Sequence, residues 1–183
     1  MMTKMHIETS RLQIRNFTAQ DFLGAYAYLS DPNVMYFLPE STMSEAQTAE
    51  FITQQSRPEA HYYAVERKSD NALLGHLLFE PYFGEHTYEI GWVFHRDAHR
   101  QGYASESAAA MLDYGFHQLK LHRVIATCQP ENPGSYKVME KIGTRREGLF
   151  LQCIPTAEGQ WWDEYYYAIL RQEWLNQQAS SRR

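Results

Sequence analysis

Cysteine is scarce: the 183 residues hold two, Cys128 and Cys153. Two thiols make neither a disulfide framework nor a metal site by themselves. Each lies in an apolar stretch, where a free cysteine behaves as a small hydrophobe. Long hydrophobic runs are also missing; none approaches the ~20 residues that span a bilayer. Met1 to His6 carries one lysine and no apolar core of a secretory signal. The expectation is a cytoplasmic chain with no membrane partner. Only 10 Gly and 7 Pro exclude a collagen-like chain. Positive charge is not in excess either. Lys plus Arg is 17 against 22 Asp plus Glu, a formal charge of −5. A nucleic-acid reader is usually basic over its binding domain, so no nucleic-acid partner is expected. The histidines lack the short spacing of a metal site, such as His-x-x-x-His, so no metal is expected. No Gly-Lys-Ser/Thr loop and no dinucleotide fingerprint is present, which makes a nucleotide enzyme a poor reading.

What is present is the composition of a globular domain, 44% hydrophobic and 21% charged. The length suits one domain, placed at residues 1–175, with a polar tail over 176–183. Aromatic residues are abundant at 14%, with 13 Tyr, 9 Phe and 4 Trp.

Leu12 to Arg15 alternates apolar and polar residues, the period of a half-buried strand. Thr18 to Asp21 reads as a capping box with Phe17 and Phe22 as its hydrophobic staple. The helix that follows sets Phe22, Tyr26 and Leu29 on one face and ends at Asp31-Pro32-Asn33. Ser44 to Gln47 starts a second helix, running to about Gln55. Three strand-like runs follow: Tyr62 to Arg67, Leu73 to Phe79 and Tyr88 to His95. Their short polar gaps predict an antiparallel meander. Tyr103 to Leu119 carries a helical apolar stripe, and Arg123 to Cys128 is a strand. Strand, long helix, strand is a crossover unit, which makes its two strands parallel. Asn132-Pro133 opens another helix, closed by Gly143. Thr144 to Ile154 and Gln160 to Leu170 form a closing hairpin around Pro155 to Gly159. The fold class is therefore α/β: a mixed, mostly antiparallel sheet with one parallel pair, its fourth and fifth strands, flanked by helices.

The segment Arg96 to Ala104 joins a parallel strand to the long helix. A helix N-terminus exposes unpaired N–H groups at the positive end of the helix dipole, an anion site suited to a pyrophosphate. Gly102 allows close backbone approach, and Arg96 and Arg100 add charge. The bland alternative is an ordinary basic turn. The loop's place on the crossover favours the ligand, because open α/β sheets bind ligands where the topology changes.

Several spaced motifs then agree in order: Glu8-Thr9-Ser10-Arg11-Leu12, Tyr88 to Phe94, His99 to Ala104, Glu131-Asn132-Pro133-Gly134-Ser135 and Glu140-Lys141-Ile142-Gly143. Together they resemble the Gcn5-related N-acetyltransferases (GNAT), most closely the branch of the ribosomal-protein N-terminal alanine/serine acetyltransferases. The family's loop reads Gln/Arg-x-x-Gly-x-Gly/Ala. Gly102 and Ala104 match it, His99 stands at the Gln/Arg position, and Arg100 replaces a frequent Gly.

The resemblance implies acetyl-CoA as cosubstrate, a primary amine as acceptor, direct transfer and a splayed parallel pair. It puts Trp92, Val93 and Phe94 on the pantetheine arm, with Asn132. It puts Arg100, Gln101, Gly102, Tyr103, Ala104 and Ser105 at the pyrophosphate. The attacking amine must lose a proton, and Glu89 is the candidate base. Its alternatives are a solvated strand position or a hold on the substrate cation. Backbone N–H groups near Val93 are candidates for the oxyanion. The departing thiolate needs a proton, from Ser135 or, as runner-up, Tyr136; Ser135 has the plainer reading of a helix residue satisfying a local N–H. The tyrosine that many members use falls at Met139. Tyr26, Tyr28, Tyr36 and Phe37 resemble positions that wall the acceptor pocket. The competing class is a non-catalytic acyl-CoA-binding regulatory module, as a monomer or homodimer in either case.

Overall fold

A computed structural model describes residues 4–156 and 158–181. Met1 to Thr3 of the signal reading, Ala157 in the closing turn and the last two residues of the polar tail lie outside the described residues. The strands are β1 (His6–Glu8), β2 (Leu12–Arg15), β3 (Tyr62–Arg67), β4 (Ala72–Phe83), β5 (Thr87–Phe94), β6 (Arg123–Cys128), β7 (Arg145–Pro155) and β8 (Trp161–Leu170). The helices are α1 (Phe22–Leu29), α2 (Pro32–Met35), α3 (Glu45–Gln55), α4 (Tyr103–His117), α5 (Pro133–Lys141) and α6 (Arg171–Ser181). The hydrogen-bonded strand order is β1-β2-β3-β4-β5-β6-β8-β7. Among the pairs whose register is resolved, β5 with β6 is parallel and the others are antiparallel. This is the mixed sheet with one parallel pair that the crossover predicts. The short β1 moves that pair one place on in the count.

The chain forms two compact units. One takes the chain up to Phe79 and then Gly91–Met111; the other takes Glu80–Ile90 and everything from Leu112 onward.

In the first unit, Phe17, Ala25, Tyr28, Leu29, Met35, Ile52 and Ala64 form the core. The buried face of α1 is Ala25, Tyr28 and Leu29. Tyr26, expected on that face, is half-buried and stacks on Phe22. Tyr28, expected at the acceptor pocket, is instead fully buried, and its hydroxyl meets His76 Nδ1 at 2.8 Å. Rings of Phe17, Phe51 and Tyr62 surround that imidazole. Burial holds its pKa down at about 3, so it is a neutral core histidine.

Asp21 fastens the start of α1. It is only 6% exposed and accepts Arg15 Nη1 and Nη2 at 2.8 Å each and the Thr18 N–H at 2.7 Å. Burial pushes its carboxyl up, but the Arg15 and Thr18 hydrogen bonds outweigh this and take it below the usual carboxylate range. A lowered folded pKa stabilises above the unfolded value of about 3.9 and ceases to do so as pH falls through the folded one. Asp21→Asn is expected to cost about 2 kcal/mol at pH 7, below the usual cost of breaking a buried pair because Arg15 keeps Glu66. Urea unfolding at pH 7 and pH 3 checks this: the gap between wild type and variant should narrow at pH 3.

In the second unit, Val124, Ile125, Ala126, Ala168 and Ile169 are fully buried on the central strands. Trp174 of α6 packs on Phe116. The helix expected to reach Leu119 stops at His117. Lys120 turns left-handed (φ 57°), the Leu121 N–H returns to the Gly115 carbonyl, and Leu119 is left exposed. The strand expected to end at Phe79 continues through Pro81 to Phe83. Pairing with β3 stops at Tyr62↔Leu78, so on that side the missing N–H of Pro81 breaks no ladder. Residues 176–181 of the expected tail continue α6. Cys153 is exposed, unlike the buried Cys128. It sits where β7, the edge strand, bulges: Phe150 faces Glu164 and Ile154 faces Trp162, so three residues oppose Asp163 alone. Gln152 is left-handed (φ 48°) and its N–H donates to Asp163 Oδ1 at 2.8 Å.

Candidate active site

In the first unit β5 ends at Phe94, and a turn of 3-10 helix over Arg96–Ala98 leads towards α4. The loop side chains bond inward. His95 Nδ1 accepts the Asp97 N–H at 3.1 Å, and Gln101 Nε2 donates to the Asp97 carbonyl at 2.5 Å. The His99 ring meets the Phe94 carbonyl at 3.0 Å. That contact accounts for a histidine at the family's Gln/Arg position: it ties the loop to the strand. Arg100 (φ 59°) and Gly102 (φ 81°) both take left-handed backbone. Arg100 thus holds the conformation that suits the family's glycine, at a cost of about 1 kcal/mol. Left-handed residues in a turn are a feature of the nests whose backbone N–H groups cup an anion. The helix that begins at Tyr103 adds the N–H groups of its first turn, which have no partners inside the helix. Ser105 Oγ donates to the Gly102 carbonyl at 3.0 Å and closes the turn. Tyr103 and Ser105 are buried, Ala104 is half-buried and Gln101 is exposed. Trp92 and Val93 are half-buried and Phe94 is buried, with Val93 packed on the first unit's core. Backbone donors that converge on one turn, opened by a glycine, fit a pyrophosphate.

In the second unit the parallel pairing is short. It runs Thr87↔Arg123, Tyr88↔Val124 and Glu89↔Ile125 and then stops. Glu89 therefore stands at the last paired position. The half-buried Glu89 carboxylate accepts the Thr127 hydroxyl at 3.4 Å. Thr127 faces Tyr166 across the sheet, so Glu89, Thr127, Tyr166 and Glu164 share one face. Burial raises the Glu89 carboxyl above its ordinary range; the nearby Glu164 and Glu80 raise it further, and the Thr127 bond partly offsets them. Arg123, on the same face, is committed to Glu147. Glu164, with Asp163, is readable from the sequence only as a residue that could face a cationic acceptor, and Thr127 carries no such mark. Their relevance depends on the register between β6 and β8, which pattern and spacing leave open.

Also in the second unit, Asn132 caps α5, its Oδ1 accepting the Ser135 N–H at 3.2 Å. This is the N-cap geometry expected of Asn132. The Tyr136 N–H donates to the Asn132 carbonyl at 3.3 Å, and the Ser135 hydroxyl lies beside the Cys128 sulfur. Burial pushes that thiol up to about 11, so it stays protonated and is no nucleophile. The Tyr136 ring packs edge-on against Tyr165, with centroids 5.9 Å apart. Met139 is buried in the core, and no tyrosine takes its place. The structure thus gathers Trp92 to Phe94 and Arg100 to Ser105 in the first unit. It gathers Glu89, Asn132, Ser135 and Tyr136 in the second.

The sequence profile of the GNAT acetyltransferase domain matches residues 11–145. The chain belongs to the GNAT acetyltransferase family. This acetyltransferase is 52% identical over 170 residues to the N-acetyltransferase YnaD of Bacillus subtilis (strain 168), covering 93% of this chain and 99% of the relative. Among solved structures it resembles a GNAT-family acetyltransferase from Bacillus anthracis, with a TM-score of 0.87 and 52% identity over 92% of this chain and 99% of that one. A spermidine N-acetyltransferase from Vibrio cholerae, solved with CoA and spermine, shares the fold. The TM-score is 0.79 at 22% identity, over 92% of this chain and 100% of that one. The chain is thus an acyltransferase by family, with the GNAT fold. Among the described residues no helix is long and apolar enough to cross a membrane, and no three His, Cys, Asp or Glu side chains cluster as metal ligands.

Proposed function

We propose that this chain transfers an acetyl group from acetyl-CoA directly to a primary amine, with Glu89 as general base. The observation that carries the reading is the Glu89 carboxylate at the end of the β5–β6 pairing, its pKa raised towards the working range. An ammonium has no lone pair, so the acceptor must first release a proton; Glu89 takes it, directly or through one water. The amine nitrogen then attacks the thioester carbon. The carbonyl oxygen gathers charge, and backbone N–H groups around Val93 stabilise it. The C–N bond forms, the C–S bond breaks, and the thiolate leaves. Ser135 supplies its proton, with Tyr136 as the second candidate, and that hydroxyl is restored by the second proton that the nitrogen sheds as the amide forms. For Ser135 this requires its O–H to turn from Cys128. The backbone of Trp92, Val93 and Phe94, with the Asn132 side chain, holds the pantetheine arm. Arg100, Gln101, Gly102, Tyr103, Ala104 and Ser105 hold the pyrophosphate.

The acceptor class is a small primary amine or a peptide N-terminus, the latter favoured by the resemblance to the ribosomal-protein branch. The test is thiol release from acetyl-CoA with peptides beginning in Ala or Ser, with diamines and monoamines, and with no amine. Release that depends on one class, with matching acetylated product, is the expected result. Tight CoA binding without amine-dependent release in any arm would overturn it and leave a binding module.

A further inference from the structure

The segment Thr9-Ser10-Arg11 at the mouth of β2 has no part in the chemistry above, yet it is bonded into the loop before α4. Arg11 Nη1 donates to the Gln101 carbonyl at 3.0 Å. Its Nε donates to Glu106 Oε2 at 2.7 Å, and its Nη2 pairs with the same oxygen at 2.6 Å. The guanidinium also lies 4.5 Å from the centre of the Tyr103 ring. Glu106 is in turn fixed by the Thr9 hydroxyl at 2.5 Å and the Arg11 N–H at 3.2 Å. One planar cation therefore touches a loop carbonyl, the first side chain of α4 and a carboxylate in its first turn.

The carbonyl is the informative partner. In a trans peptide the C=O and the following N–H point in opposite directions. Holding the Gln101 carbonyl towards Arg11 therefore sends the Gly102 N–H away from it. Gly102 is a glycine and tolerates either sign of φ, so the Gln101–Gly102 peptide could otherwise rotate at little cost. A rotated Gln101–Gly102 peptide would present an oxygen where a donor is needed. Preorganised donors bind an anion better than donors that must first be turned.

We propose that Arg11 is a positioning residue for the cosubstrate: braced by Glu106 and Tyr103, it fixes the Gln101–Gly102 peptide so that the Gly102 N–H faces the pyrophosphate. This rests on the reading that the loop holds the pyrophosphate.

The test compares affinity for CoA with affinity for pantetheine, which lacks the pyrophosphate, by titration calorimetry with the full chain. Arg11→Met keeps the stem against Tyr103 and removes the guanidinium. It should weaken CoA binding about tenfold, the usual worth of one charge-assisted hydrogen bond, and leave pantetheine binding unchanged. Arg11→Lys should fall between, because an ammonium reaches one partner without the fork. If Arg11→Met does not fold, Glu106→Gln loosens the same clamp and should show the same split at smaller size. Equal weakening of both ligands, or of neither, overturns the proposal. A wild-type protein that binds both ligands alike overturns instead the reading of the loop.

Discussion

Glu89→Gln should lower kcat at pH 7 by about 10²- to 10³-fold, within the range of a lost general base. The amide keeps the shape and can still accept the Thr127 hydroxyl, but it cannot take a proton. The pH dependence separates this from a packing defect. Burial, Glu164 and Glu80 hold the wild-type carboxyl above its ordinary range. Wild-type activity should therefore fall on acidification at a pH above that of an ordinary glutamate. The variant should lack that limb. Its rate should climb as pH approaches the amine pKa near 10, where free amine no longer needs a base, so the deficit narrows. Stability gives an independent sign. A carboxyl whose folded pKa is raised binds its proton more tightly in the folded state, so stability falls as pH rises from the unfolded to the folded value. Glu89→Gln removes that penalty, and its melting temperature at pH 7 should equal or exceed that of wild type. A less stable variant with an unchanged pH profile would remove Glu89 from the base role.

Gly75→Ala should cost about 3 kcal/mol or prevent folding. A Cβ built on Gly75 would lie 2.1 Å from the Val93 carbonyl oxygen and 2.7 Å from the Phe94 Cα. Both are backbone atoms of β5, so no side-chain rotation relieves the clash. The strand itself must shift, an extreme of overpacking. The same stretch carries the N–H groups assigned to the oxyanion. If the variant folds, kcat and CoA affinity should both fall, because the Trp92 to Phe94 backbone is assigned to the pantetheine arm as well as to the oxyanion, and His99 ties the pyrophosphate loop to Phe94. Urea unfolding and single-turnover kinetics check the two parts. A variant with wild-type stability would show that β5 has room that its backbone spacing denies.

These two residues show where the sequence is readable. The crossover is legible because α4 must bury a helical stripe between two β-rich runs, and only a parallel pair accommodates that. The caps at Ser44 and Asn132 are legible because a helix end has a fixed demand for an acceptor. Gly102 is legible because a glycine before a helix, in a basic turn, has few other uses. Tyr28 is not, since its reach to His76 depends on how α1 lies on β4. Nor is the neighbourhood of Glu89: a strand pattern shows that it alternates with Tyr88 and Ile90. It does not show that Thr127 and Glu164 share its face. Lys120 in the left-handed region carries no mark that separates it from a residue continuing α4. Gly75 is opaque for the same reason, because its need for no side chain comes from a strand that follows it by nearly twenty positions.

The bulge in β7 has a consequence for how the protein behaves at high concentration. An edge strand of this length, carrying Leu149, Phe150 and Leu151 near its centre with all three exposed, is a template on which a foreign strand could extend the sheet. A template works only if its hydrogen-bonding groups follow a regular spacing. The three-residue excursion at Leu151 to Cys153 breaks that spacing, and the left-handed Gln152 commits its N–H to Asp163. The apolar edge is thereby interrupted by a bulge that opposes regular edge-to-edge pairing, and Asp163 holds that bulge by accepting the Gln152 N–H.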